Sequence, residues 1–156
     1  MNSVFKFIID SRKAFIQLID GLTIDQLNHI PSGFNNNIIW NFGHIVVSTQ
    51  TLCYVRTGIW KNADTIKYVS AYAKGTKPTY VVSLEEVEEL KALAISSISQ
   101  IEKDYEAGLF QTIAPYDTAT YGSVLQSFED VIVATAGHDN VHFGYAIAQK
   151  RIINNQ

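Results

Sequence analysis

The stretch SVLQSFEDVIVATAGHDNVHFGYAIAQKRI, residues 123–152, contains no proline and repeats its apolar side chains at steps of three and four. That period belongs to a helix with one buried face; a half-buried strand would alternate. Ser123 followed by Gln126 has capping-box spacing, so the helix is predicted to open near Ser123 and to run to about Ile152. Its inward stripe passes through Val124, Phe128, Val131 and Thr135, and the next steps on that face fall on His138, His142 and Tyr145. Glu129, Asn140 and Arg151 fall on the opposite side, and Asp139 is read as pointing away from the stripe. Ala134, Ala136 and Gly137 leave room for a close neighbour.

Three further segments carry the same period. A first helix is expected from about Ser3 to Ile19, with Val4, Ile8, Phe15 and Leu18 on one stripe and Gly21 just past its end. A second follows HIPSGFNNN, where Asn35, Asn36 or Asn37 can cap, and continues to Gly58 with apolar residues around most of its circumference. A third opens at Ser83 with Glu86 in capping-box spacing; Val87, Leu90, Ala94, Ile98, Ile101 and Tyr105 face inward, and Glu85, Glu88, Glu89 and Lys91 face water. No segment reads as a convincing strand. The fold class is therefore all-α: one four-helix-bundle domain over residues 1–156, with a long crossover connection, residues 57–82, between helices two and three. A shorter gap near 110–121 holds Pro115.

Composition removes several classes of function. With 12 Lys and Arg against 15 Asp and Glu, net charge −3, the chain has no basic field for a nucleic-acid backbone. The opening MNSVFKFIIDSRKAF reaches Asp10, Arg12 and Lys13 before a secretory or membrane-spanning run is complete, so no membrane contact and a cytoplasmic location are expected. A single cysteine, Cys53, rules out an intrachain disulfide and any cysteine-pair metal knuckle. Cys53 lies mid-helix among apolar residues and reads as an inert core thiol.

A metal site must then rest on histidine and carboxylate. His138 and His142, one turn apart inside an apolar stripe, each need a partner, because an unsatisfied buried polar nitrogen costs about 1–3 kcal/mol. Two hydrogen-bonded core histidines would satisfy that need, and so would a cation. His44, in WNFGHIVV, shares a face with Trp40, Val47 and Val55 on the second helix, and Gly43 permits a close approach that would bring it opposite the pair. Three neutral imidazoles leave coordination positions open, the pattern of catalytic metal sites. The fourth histidine, His29, reads as a surface or cap residue. The pair lacks the internal glutamate of H-E-x-x-H proteases.

NNNIIWNFGHI at 35–45, AKGTKP at 73–78 and HDNVHFGYAIAQKR at 138–151 together resemble the DinB-like superfamily of small bacterial metalloproteins, over nearly the whole chain. The resemblance implies a four-helix bundle holding nickel or zinc on one histidine of helix two and an H-x-x-x-H pair of helix four, here His44, His138 and His142. Many relatives carry an acidic residue about one turn after the first histidine, where this chain has Ser48 and Thr49. The resemblance also implies a thiol-dependent S-transferase or isomerase type of activity, with a low-molecular-weight thiol as second cofactor, and a homodimer. A divalent ion stabilises thiolate over thiol. The same ion can activate water in a hydrolase, and a non-catalytic metal-stabilised binding or stress-response protein is the third reading. In the transferase reading a small electrophile occupies a pocket beside the ion, with Trp40 as a wall and Tyr145 as the hydroxyl that meets it.

Overall fold

Helix α1 (Asn2–Asp20) is followed by α2 (Ile24–Asn28) and by α3 (Ile38–Gln50), which runs on into a π-helical turn, Thr51–Val55. After a long connection containing α4 (Val69–Tyr72) come α5 (Leu84–Glu106), a hairpin of β1 (Tyr116–Asp117) and β2 (Val124–Leu125), and α6 (Phe128–Asn154). The structure is a computed structural model that describes residues 1–120 and 122–155. It is mostly helical, with one two-stranded sheet among the described residues. Helices α1 and α3 each pack between α5 and α6, so the four long helices surround a common interior.

Local sequence chemistry sets most boundaries. Asn37 caps α3, its side chain accepting from the Trp40 N–H, and Ser83 caps α5 by accepting from the Glu86 N–H, both as the sequence predicts. The last helix departs from prediction: it starts at Phe128, and Val124–Leu125 pairs antiparallel with Tyr116–Asp117 instead of forming the first helical turn. The reason lies in the competing cap. Ser127 and Asp130 form a reciprocal capping box, and the Asp130 carboxylate also accepts from the Gln126 N–H. An ionised side chain at the helix N-terminus outbids the neutral Ser123 and Gln126 combination. Val124 consequently lies exposed, not on the buried stripe.

The interior is two apolar clusters. One gathers Phe15, Phe42, Ile45 and Leu90; the other gathers Phe5, Ile8, Ile98 and Phe128. Between Ile8 and Phe15 on α1, and between Ala136 and Ala146 on α6, the sequence puts Arg12 and Asp139, both fully buried and joined Nε to Oδ2 at 2.8 Å. Asp139 does point away from the histidine stripe, but into a second buried face that a single-stripe reading does not describe. Helix α6 packs on both α1 and α3 and so buries two faces, and Asp139 sits on the second.

Helix α3 is covered within the chain. Every residue from Ile38 to Val47 is buried, against neighbours that include α2 and α4 as well as α5 and α6. Its apolar circumference is accounted for inside one protomer, so a homodimer would have to use another surface. Among the described residues no helix is long and apolar enough to cross a membrane.

Candidate metal centre

Helices α3 and α6 bring together the three histidines that the sequence singles out. His44, His138 and His142 each offer a nitrogen within 4.8 Å of the others, and their ring centroids lie 4.5–5.2 Å apart. His44 is buried and the other two are partly buried. The fourth histidine, His29, is exposed at the C-cap of α2.

Two of the rings are held by hydrogen bonds that fix their tautomers. His44 donates from Nδ1 to the Tyr72 carbonyl at 2.7 Å. His142 has its Nδ1 2.8 Å from the Asn41 side-chain oxygen. Asn41 is buried, and its amide donates to the Asn36 side chain, the Asn37 carbonyl and the Gln149 side chain, which turns its oxygen to His142 as acceptor. Both histidines therefore keep the proton on Nδ1 and leave the Nε2 lone pair for a cation, the orientation that outer partners impose on metal-binding histidines. His138 has no such partner: its Nδ1 is buried and makes no hydrogen bond. A buried imidazole nitrogen left without a partner is costly, and a cation taken up by the cluster is one way to relieve it. On this donor set the residues fit a divalent ion with nitrogen preference, such as zinc or nickel.

Electrostatics agree. Burial holds the His44 and His138 imidazoles down at about 4, the Arg12 guanidinium contributing at His138 and the Tyr72 carbonyl opposing at His44. Burial also brings His142 to about 3, with further lowering by His44 and His138. All three are neutral at pH 7, the form a metal ion requires.

The crossover connection supplies support that sequence reasoning missed. Gly43 does permit a close approach, but to the Tyr72 ring of α4: a Cβ there would lie 2.5 Å from Tyr72 Cδ1. Trp40 stacks on the His44 ring, centroids 4.7 Å apart and 11° from parallel, and its Nε1 donates to the Ala71 carbonyl and the Thr76 hydroxyl. Thr76 belongs to AKGTKP, so that segment fastens α4 where its Tyr72 carbonyl meets His44. A Gly43→Ala variant is expected to displace Tyr72, to cost about 1–3 kcal/mol by overpacking and to weaken metal binding about 10–100-fold through the lost orientation of His44. Urea unfolding and metal titration check the two effects separately.

The histidines form part of the wall of a cavity of about 880 Å³, which Ser48, Leu52, Val69 and Leu125 also line. Ser48, one turn after His44, donates to the His44 Nε2 at 3.1 Å, a contact that a bound cation would displace. Trp40 lies behind His44 and does not line the cavity, and neither does Tyr145. Tyr145 is half exposed, its ring centroid 6.2 Å from that of His142. Cys53 is buried outside the cavity, and burial pushes its thiol up to about 12.

A mostly helical protein with a three-histidine group that can hold a divalent metal is the class these features define. The chain belongs to the DinB superfamily, whose family model matches residues 8–146. No curated protein matches it.

Proposed function

We propose that this protein is a divalent-metal-dependent enzyme, built on a four-helix bundle, that transfers a small thiol to an electrophile. The observation that carries the reading is the opening of the three-histidine cluster into a cavity large enough for a cofactor and a substrate, in place of closure by a fourth protein ligand. A bound divalent ion supplies the preference for thiolate over thiol at neutral pH. The chain's own residues orient and select. Tyr72 and Asn41 hold two imidazoles in one tautomer, Trp40 keeps the His44 ring in plane, and the Ser48 hydroxyl can hydrogen-bond to whatever enters beside His44. Tyr145, half exposed beside His142 and outside the cavity, is the hydroxyl proposed to meet an acceptor that extends past His142 toward solvent. The protein's own thiol, buried and protonated, takes no part.

Hydrolysis is the second reading, and it is less well supported because a base for water is missing beside the histidines. Asp139 is engaged by Arg12, and Asp117 is the one carboxylate lining the cavity among the described residues.

Protein purified without a histidine tag should carry close to one equivalent of nickel or zinc, and His44→Ala, His138→Ala and His142→Ala should each lower occupancy strongly. Full occupancy in all three would remove the site. Conversion of an electrophile should require added thiol, stop on chelation and return with metal. Turnover of esters or amides without thiol would favour hydrolysis, and inertness toward thiols, electrophiles and esters alike would favour a binding role. Tyr145→Phe should keep its metal and lower kcat, and Cys53→Ser should leave turnover intact. A cytoplasmic homodimer completes the proposal; sedimentation as a monomer at micromolar concentration would exclude the dimer.

A further inference from the structure

The cavity wall carries charge as well as apolar surface. Arg56 and Lys74 line the cavity with Asp117 as the opposing carboxylate, and neither cation forms an ion pair among the described residues. The chain as a whole is acidic, with net charge −3, so two unpaired cations on one cavity run against its general balance. Arg56 is also held in place. Its Nη2 donates to the Asp117 carbonyl at 3.1 Å, and its guanidinium lies over the Tyr116 ring, 4.7 Å from the centroid. Both anchors belong to the β1–β2 hairpin, which takes the place of the expected first turn of the last helix. A guanidinium fixed by a carbonyl and a ring still has N–H groups to offer, and a planar carboxylate is the partner that suits them. Arg56 follows His44 by about three turns of the same helical run, and Ser48 and Leu52 at the intervening turns also line the cavity, so Leu52 can cover an uncharged stretch of ligand.

We infer that the cavity takes a ligand with a carboxylate at one end, bound by Arg56, and a metal-ligating head at the other, bound at the histidine cluster. The head rests on the function proposed above; the tail rests on Arg56 and the hairpin. Arg56 is then a specificity-determining residue for this site.

The test uses two matched pairs of probes with metal-loaded protein and isothermal titration calorimetry: ω-mercaptohexanoate against ω-mercaptohexanol, and hexanoate against hexanol. The mercapto acid is expected to bind about tenfold or more tightly than the mercapto alcohol, the effect of one charge-assisted contact. The charge of the metal would favour the acid as well, so the variant decides. Arg56→Gln should remove most of the acid's advantage over the alcohol, Arg56→Lys should keep part of it, and Lys74→Gln should lower it less. Affinity for the alcohol in each variant reports that the fold and metal site survive. Equal affinities in the wild type, or an acid preference that Arg56→Gln leaves unchanged, overturn the inference. Should neither thiol bind more tightly than its thiol-free counterpart, the thiol reading falls and the second pair decides. A hexanoate preference lost in Arg56→Gln sustains the carboxylate site, and no such preference overturns it.

Discussion

Asp139→Ala is expected to cost about 3–5 kcal/mol, the scale for leaving one member of a buried ion pair alone. A domain of this size has only about 5–15 kcal/mol of stability in all, so the variant should lose a large share of it and melt well below the wild type. Arg12 is fully buried, and its guanidinium donates to Asp139 on α6, to the Ala94 carbonyl and Ser97 on α5, and to the Ile45 carbonyl and Thr49 on α3. One side chain of α1 thus ties the other three long helices together. Burial pushes the Asp139 carboxyl up, and the Arg12 guanidinium and Thr49 hydroxyl pull against that. Remove the carboxylate, and the cation has neutral acceptors alone. Urea unfolding measures the loss, and a change within about 1 kcal/mol of wild type would show the pair to be unimportant. The double variant Arg12→Met with Asp139→Leu should recover most of the stability, because well-packed apolar replacements remove both desolvation costs. It should not recover metal affinity. Asp139 follows His138 directly, and the pair fixes how α6 lies against α3, which is the relation that brings His138 and His142 to His44.

The three histidines were legible in the sequence because helical phase alone puts His138 and His142 on one face and His44 on the inward face of another helix. Asn37 and Ser83 were legible as caps for the same local reason. Asp139 was not, because a helix packed on two neighbours buries two faces and a single stripe describes one. A signal existed in α1, where Arg12 interrupts the apolar series Phe5, Ile8, Phe15 and Ile19 at its own spacing. A charge there requires a buried partner. Asn41 and Tyr72 were missed for different reasons. Asn41 looks like any polar residue near a helix start until its amide is seen engaged on three sides. The Tyr72 carbonyl is a backbone group on a connection whose path no periodicity predicts. The hairpin that anchors Arg56 was hidden because Ser123 and Gln126 mimic the cap that Ser127 and Asp130 form four residues later.

Acid should destabilise the protein through the three imidazoles of the cluster. An unfolded chain takes up protons on its histidines near pH 6.5, whereas the folded protein holds His44 and His138 at about 4 and His142 at about 3. Below about pH 6.5 the unfolded state therefore binds more protons, and stability falls as pH falls, until the folded imidazoles protonate too. Each such group adds up to about 1.4 kcal/mol per pH unit of slope, so three acting together give up to about 4. Chelated protein should lose stability steeply between about pH 6 and pH 4, and a His44→Leu, His138→Leu, His142→Leu variant should lose much of that dependence. His29, exposed and outside the cluster, is unchanged in both. The same depressed values mean that the folded site offers neutral nitrogens well below pH 6.5. Metal affinity, measured on folded protein, should stay nearly constant down to about pH 5, where a site of ordinary imidazoles would already have weakened. Added metal, binding the folded form alone with nearly constant affinity, should then add about the same free energy of stability at pH 5 as at pH 7. A metal-free stability curve that is flat between pH 6.5 and pH 4 would show that the three imidazoles are not held neutral by the fold.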